Sequence, residues 1–313
     1  MGGRRLSTRN YRGRSLNSGR RKRKAQGILR LLVIAICVIA VIALLLTLVV
    51  KLFGGGEDAL KAESQSVEQK VEKQYNIPPA GEENDLLKIA TTAVGSDKKI
   101  CYLTFDDGPT KEVTPKVLEV LKKYNVKATF FSLGKMLDAN RDIAKQEYDE
   151  GHLIANHSYY HNYNELYATS KSFMDEVTKT ENTIRDITGE EPFKLIRFPG
   201  GSYNAGDHAA EKQTYKKVLQ ENGYYYADWN CLNGDAEASL RSVDELVAKV
   251  KSTATSKNIV VLMHDAAAKT TTPEALGQII EYLRAQGYEF KRLDEVQYYD
   301  DGSSDVDADS MIL

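Results

Sequence analysis

The sequence predicts an α/β fold, a distorted (β/α) barrel of about seven strand–helix units, with one transmembrane helix and a stalk before it. The barrel is predicted because, from residue 98 onward, short apolar runs alternate with longer amphipathic stretches over about 200 residues. The membrane helix is predicted by an apolar run at residues 31–50. The expected parts are a basic arm (1–30), a membrane helix (31–53), a stalk (54–97), a globular domain (98–296) and an acidic tail (297–313).

The apolar run is long enough to cross a membrane. Residues 31–50 contain one polar side chain, Thr47, and at about 1.5 Å per residue they span about 30 Å. A cleaved signal peptide is the alternative, but its apolar core would be shorter, and no small-x-small cleavage site follows. Basic residues precede the run, so the positive-inside rule predicts a single-pass type II protein of the cell membrane, with its N-terminus cytoplasmic and its large domain outside.

Charge divides the chain into two halves. Of the 42 basic residues 12 lie in 1–56, where there is no acid, so the remainder carries a net charge of −14. The basic arm predicts attraction to anionic lipid headgroups rather than to nucleic acid, because it has one aromatic residue, Tyr11, and adjoins the membrane helix. No obligate protein partner is evident. Cys101 and Cys231 either pair outside the membrane or are two buried, small apolar residues.

The elements of the globular domain are predicted in order along the chain. Strands are expected at 100–105, 128–133, 153–156, 195–198, 224–229, 259–263 and 288–291. Helices are expected at 114–124, 140–150, 171–188, 209–222, 242–252 and 273–286. The tail, 297–313, lacks the glycine and glutamate of a calcium loop and is expected to be frayed.

Two adjacent acids, Asp106 and Asp107, end the first strand. Alternation within a strand would send one of them toward the core, but Gly108 and Pro109 stop the ladder and turn the chain, so both can sit at the strand's end. A solvated turn is the plainer interpretation of this tetrapeptide alone. Strand ends of this kind are also where α/β proteins bind ligands.

Two histidines follow the third strand. His157 and His161 are four residues apart, so on a helical turn both would lie on one face and reach one metal ion. Taken alone, such a pair more often marks exposed or core histidines than a metal site. One carboxylate and two histidines with open positions make a catalytic metal site, and Asp107 could supply the carboxylate. Asp106 would then remain as the base that takes a proton from water.

Three later strand ends add complementary chemistry. Arg197 can grip a carboxylate, and the turn that contains Gly200 presents backbone N–H groups. Asp228 and Trp229 close the fifth strand, and His264 ends the sixth. A surface arginine, a core aromatic and a satisfied core histidine are the plain alternatives. Each plain alternative is reasonable alone. Five strand ends with complementary chemistry in one chain are better explained by a single functional site than by chance.

Together the motifs resemble the NodB-homology polysaccharide deacetylases, carbohydrate esterase family four, over about residues 98–296. Among these, the chain is similar to membrane-anchored peptidoglycan N-acetylglucosamine deacetylases. The resemblance implies that Asp106 is the base, that Arg197 orients it, and that the metal ligands are Asp107, His157 and His161. It also implies that His264 is the general acid and that Asp228 orients it. On the substrate side, it implies Pro199 as the proline of the arginine-x-proline motif, the Gly200 N–H as oxyanion donor, and Trp229 and Leu262 as walls of an acetyl pocket. Many members have tyrosine where this chain has Gly200. The implied donor is a backbone N–H, so the chemistry is expected to survive.

The resemblance also implies a metal-dependent hydrolase. Zinc is the expected metal, with cobalt or another divalent ion as alternatives. From the predicted location and the resemblance, the expected partner is cell-wall polysaccharide and the expected reaction is removal of N-acetyl groups from peptidoglycan N-acetylglucosamine. The alternatives are N-acetylmuramic acid, another surface polymer, acetylxylan, or a catalytically inactive wall-binding module.

Overall fold

The strands form one curled, parallel sheet. The computed structural model describes residues 80–81, 83–92, 98–203 and 208–296, and within these residues the sheet has eight strands. They are β1 (Lys99–Asp106), β2 (Thr129–Ser132), β3 (Leu153–Asn156), β4 (Leu195–Ile196), β5 (Tyr225–Tyr226), β6 (Cys231–Leu232), β7 (Asn258–His264) and β8 (Tyr288–Phe290). Their order is β5-β4-β3-β2-β1-β7-β6, with β8 paired to β1.

Helices follow most strands. They are α1 (Leu86–Thr92), α2 (Thr114–Lys123), α3 (Gly134–Ala139), α4 (Arg141–Asp149), α5 (Tyr163–Leu166), α6 (Ser170–Thr188), α7 (Ala209–Glu221), α8 (Val243–Thr253) and α9 (Thr272–Ala285). The long helix α6 begins at a capping box formed by Thr169 and Ser172 and ends at the left-handed Gly189. The predicted α/β alternation and the six predicted helices are confirmed, whereas β6, α1, α3 and α5 were not predicted.

Strand β1 is the centre of the sheet. It pairs with β7 along its length, from Ile100↔Asn258 to Asp106↔His264. On its other side β8 pairs with its beginning and β2 with its end. This register places the last residues of β1 and β7 side by side, at the edge of the sheet where the predicted site residues lie.

Alternation along β1 separates two cores. Ile100 and Tyr102 belong to the apolar cluster inside the curled sheet, whereas Cys101, Leu103 and Phe105 pack under the surrounding helices. By the same period, Thr104 and Asp106 share the face of Ile100 and Tyr102. The strand therefore directs its last acid to the mouth of the barrel interior.

Helix α1 corrects one predicted boundary. The predicted stalk, 54–97, includes this helix, yet Leu86, Ile89 and Ala90 are buried in the interior cluster. Asp85, just before the helix, forms a parallel bridge with Tyr226 of β5, the strand at one end of the sheet. Burial of an apolar helix face explains why this segment belongs to the folded domain.

The cysteines do not pair. Cys101 and Cys231 are both buried and free. They lie on β1 and β6, which are separated by β7, so about two strand spacings, or about 10 Å, divide them. A disulfide needs Cα atoms within about 7 Å. Both residues act as small apolar side chains, which decides the alternative that the sequence left open.

The predicted arm, apolar run and tail lie outside the described residues. This applies to residues 1–30, 31–53 and 297–313. Within the described part of the chain, no helix has both the length and the apolar character that a membrane crossing requires.

Candidate functional site

The site begins with a sharp turn after β1. Asp107 has a φ of 77°, a left-handed conformation that is uncommon for residues other than glycine. This turn takes its carboxylate out of the strand alternation, while Asp106 stays on the inner face. Gly108 is required next, because a Cβ there would lie 2.0 Å from Oδ2 of the buried Asp265. The two acids thus take separate positions at one strand end.

Three predicted metal ligands come together. Oδ1 of Asp107 lies 3.7 Å from Nε2 of His157 and 3.6 Å from Nε2 of His161. The ring nitrogen of His157 on the far side, Nδ1, is 2.9 Å from the carbonyl oxygen of Arg197, so it donates there and leaves the lone pair of Nε2 directed at the cluster. Asp107, His157 and His161 form the one such ligand cluster among the described residues.

The cluster fits a divalent metal ion. Oδ1 of Asp107 is buried and has no hydrogen-bond partner, a costly state unless a cation binds there. Ligands about 2.0–2.2 Å from a tetrahedral zinc are about 3.3–3.6 Å apart, close to the spacing of these donors. Burial lowers the pKa of His157 to about 3, against the charge of Asp107, so its imidazole is neutral at neutral pH. Neutral imidazole is the form that binds metal.

The two histidines do not lie on a helical turn, so that prediction was wrong. Ser158 and His161 have φ values of 71° and 59°, and the segment between them is a loop. A carboxylate oxygen of Glu176, on α6, accepts hydrogen bonds from the amides of Tyr159 and Tyr160 at 3.0 and 3.1 Å. These bonds replace those of a helix, and left-handed backbone of this kind at a site costs about 1–3 kcal/mol per residue.

Arg197 holds Asp106 as predicted. The arginine is fully buried, and its Nη1 donates to Oδ1 of Asp106 at 2.8 Å and to Oγ1 of Thr104 at 2.7 Å. Its Nε and Nη2 donate to the carbonyl oxygens of Ala227 and Asp228. Burial raises the pKa of Asp106, and the charge of Arg197 works against that rise. The other oxygen of Asp106, Oδ2, lies 3.8 Å from Nε2 of His157 and so faces the ligand cluster.

His264 has a different acidic partner from the one predicted. Its Nδ1 lies 2.7 Å from Oδ1 of Asp235, and its amide donates to Oδ2 of the same residue at 2.8 Å. Burial lowers the pKa of His264, but Asp235, followed by Asp106 and Asp107, outweighs it and raises the pKa to about 9. The predicted orienting role of Asp228 is therefore wrong.

Sheet order explains this correction. Asp235 follows β6, the direct neighbour of β7, whereas Asp228 follows β5 at the other end of the sheet. The residue after Asp235 is Ala236, so the aspartate–tryptophan pattern did not mark it. The turn of Asn233, Gly234 and Asp235 after a short apolar run was the available signal.

Asp228 instead holds the loop after β4. Its Oδ1 accepts from the amide of Ser202 at 2.8 Å, and its Oδ2 accepts from the Ser202 hydroxyl. In the same loop the carbonyl of Pro199 accepts from the Tyr167 hydroxyl at 2.9 Å, and Gly200 has a φ of 74°. The oxyanion role of the Gly200 N–H stays a prediction.

The two predicted pocket walls, Leu262 and Trp229, come from different parts of the sheet. Leu262 is two residues before His264 on β7, and alternation places both on the inner face. Trp229 packs against the interior apolar cluster, and its ring centroid is 5.7 Å from the guanidinium carbon of Arg197. This contact gives the tryptophan a place beside Arg197, and its role as a pocket wall stays a prediction.

Comparisons with known proteins agree with this geometry. The family model described as polysaccharide deacetylase matches residues 93–224. A peptidoglycan-N-acetylglucosamine deacetylase of Bacillus cereus is 31% identical over 237 residues, covering 73% of this chain and 83% of that protein. The enzyme of that name from Listeria monocytogenes serotype 1/2a is 33% identical over 237 residues, covering 76% of this chain and 46% of that protein.

A solved structure is similar as well. The catalytic domain of a peptidoglycan N-acetylglucosamine deacetylase from Eubacterium rectale superimposes with a TM-score of 0.59 and 35% identity. The match covers 66% of this chain and 96% of that domain.

Proposed function

This chain belongs to the polysaccharide deacetylases of carbohydrate esterase family four, and we propose that it removes N-acetyl groups from the N-acetylglucosamine of peptidoglycan in a metal-dependent hydrolysis. The products are acetate and a free amine on the sugar. The named relatives support cell-wall polysaccharide as the substrate class.

One arrangement supports this function above all. A buried carboxylate, Asp106, and a histidine held by an acid, His264, end neighbouring strands beside the ligand cluster of Asp107, His157 and His161. Two titratable groups with different environments next to a metal site are what a hydrolase needs for one base and one acid.

Asp106 acts as the base. When bound, a divalent metal at the cluster supplies polarisation of the acetamide carbonyl and lowers the pKa of water. Asp106 takes a proton from the attacking water, while Arg197 keeps its Oδ1 fixed and leaves Oδ2 toward the site. The water oxygen forms a bond to the acetamide carbon.

His264 acts as the acid. Its Nδ1 is bonded to Asp235, so Nε2 is the nitrogen that can give a proton. The raised pKa of about 9 keeps the imidazole protonated at neutral pH. As the C–N bond breaks, Nε2 protonates the departing nitrogen, and acetate and the amine leave. Asp106 has then gained one proton from water and His264 has lost one to the amine, so the number of protons on the two side chains together is unchanged.

The membrane anchor is part of the same proposal. An apolar run at residues 31–50 with eleven basic residues before it is a type II signal-anchor pattern, which would tether the domain outside the cytoplasmic membrane. A tether in that place gives the domain access to the wall polymer.

Acetate release from defined substrates tests the function. The full-length chain is incubated with N-acetylglucosamine oligosaccharides and with defined muropeptides, with zinc and with a chelator, and products are identified by mass spectrometry. We expect zinc-dependent loss of acetyl from the N-acetylglucosamine residue of each muropeptide. Acetyl loss from N-acetylmuramic acid, from acetylxylan or from another surface polymer alone would identify a different substrate. No release from any of them, with metal bound, would indicate an inactive wall-binding module.

A further inference from the structure

The tyrosine that begins helix α5, Tyr163, fills the space beside Gly200. A Cβ built on Gly200 would lie 2.8 Å from Oη of Tyr163 and 3.3 Å from its Cζ. A side chain at position 200 would therefore displace the end of Tyr163, and the left-handed backbone there would strain it. The ring of Tyr163 takes the place of a side chain at position 200, and Tyr163 lies two positions after the predicted metal ligand His161.

Ring contacts hold Tyr163 next to the ligand cluster of Asp107, His157 and His161. Its ring centroid lies 5.3 Å from that of His161 and 6.0 Å from that of Tyr167. Tyr167, which caps the C-terminus of α5, donates to the carbonyl of Pro199 at 2.9 Å and so links this helix to the turn that contains Gly200. The phenolic hydroxyl of Tyr163 supplies a hydrogen-bond donor beside Gly200.

Tyr163 still presents much of its ring to solvent. The side chain is 40% exposed although it adjoins a metal ligand. Tyr160, which is also exposed, has different contacts from Tyr163. Its ring packs on Tyr159, and the amine of Lys179 donates a hydrogen bond to its hydroxyl at 2.8 Å. A half-exposed ring with a donor at one end suits a ligand that has both an apolar face and hydroxyl groups, as a pyranose does.

We infer that Tyr163 binds the sugar ring that carries the scissile acetamide and makes the site selective for a pyranose substrate over small acetyl compounds. This inference rests on the proposed deacetylation. The ring contacts the sugar face, and the hydroxyl donates to an oxygen of the same sugar. Tyr163 contributes to substrate binding and transfers no proton. Its replacement should therefore raise KM more than it lowers kcat.

The test uses two variants and two substrates. Tyr163→Leu removes the ring and the hydroxyl but keeps apolar volume against Gly200, and Tyr163→Phe removes the hydroxyl alone. Tyr160→Leu and Tyr160→Phe are matched controls at an exposed tyrosine three residues earlier in the chain. Full-length proteins with measured zinc content are assayed on an N-acetylglucosamine pentamer and on nitrophenyl acetate, which has no sugar.

For Tyr163→Leu we expect a KM on the pentamer about tenfold higher, with kcat/KM on nitrophenyl acetate within about twofold of wild type. Tyr163→Phe should raise the pentamer KM by about threefold, and both Tyr160 controls should match wild type. Pentamer KM values within about twofold of wild type in both Tyr163 variants would overturn the inference and leave the deacetylase function intact. Equal losses of kcat/KM on both substrates, together with loss of bound zinc, would also overturn the inference, because they would indicate a structural role for Tyr163. A wild-type chain that cleaves the ester but not the pentamer would contradict the proposed function itself, and the inference with it.

Discussion

Nδ1 of His264 lies 2.7 Å from Oδ1 of Asp235, and the same carboxylate accepts the backbone amide of His264 and the hydroxyl of Thr272. Burial raises the pKa of Asp235, but the hydrogen bond and the charge of His264 more than reverse this. The pair is therefore an imidazolium and a carboxylate, and a fourth hydrogen bond, from the side-chain amide of Asn233, also orients Asp235 before any substrate arrives.

Replacement of His264 should separate amide from ester cleavage. Expulsion of an amine requires a proton, whereas nitrophenolate leaves as an anion. We expect His264→Ala to lose at least about a hundredfold in kcat on an N-acetyl substrate and much less on nitrophenyl acetate. Loss of metal or of folding would lower both rates alike. Equal losses on the two substrates would remove the general-acid role from His264.

Replacement of Asp235 should move the alkaline limb of the pH profile. His264 acts in its protonated form, so activity is lost as pH rises through its pKa, which Asp235 helps to raise to about 9. Without this carboxylate the pKa falls, so in Asp235→Asn the loss should begin at a pH lower by at least about one unit. Asp228→Asn is the matched control, because it removes a buried carboxylate that is bonded to Ser202 instead. A shift in the control and none in Asp235→Asn would contradict the assignment.

Metal binding and proton transfer should be separable. His161→Ala removes one of three ligands, so both bound zinc and activity should be lost on the full-length protein. Asp106→Asn should retain zinc and lose turnover, because Asp106 bonds Arg197 and acts on water. Metal content by elemental analysis, with acetate release on the same samples, checks both. Stoichiometric zinc in His161→Ala would show that the ligand set is wrong.

Removal of Arg197 should destabilise the domain as well as inactivate it. In Arg197→Met the carboxylate of Asp106, 3% exposed, loses its buried partner, and breaking such a pair typically costs about 3–5 kcal/mol. Urea unfolding measures this loss. Arg185→Met is the control, because its ion pair with Glu191 lies at the surface and should contribute little. If both variants unfold at the same urea concentration as wild type, the buried pair does not stabilise the fold.

The N-terminal arm should be protected in intact cells. If residues 31–50 form a type II anchor, protease added outside should cleave the 98–296 domain and spare the basic residues before position 30. Antibodies against tags at the two ends would follow each part. Complete release of the protein into the medium, with a new N-terminus near residue 53, would instead indicate a cleaved signal peptide.

Most of the fold and part of the site could be predicted from the sequence. Apolar runs and amphipathic periods marked the six longer helices and seven strands, because these patterns are local. Asp107, His157 and Arg197 were recognisable for a similar reason: each directly follows a strand, and parallel strands bring such ends together. His161 was recognisable from its spacing to His157. The two-residue strand β6 escaped prediction, since a run so short has no period.

Only the tertiary structure decided which of these ends are neighbours. The partner of His264 is Asp235 rather than Asp228 because β6 pairs with β7 while β5 lies at the far end of the sheet, and strand order leaves no mark in a local pattern. The place of Tyr163 beside Gly200 joins residues 37 positions apart in the chain through two loop conformations. Those conformations depend on left-handed residues and on hydrogen bonds that the carboxylates of Glu176 and Asp228 accept from distant backbone amides, and these bonds form only in the folded barrel.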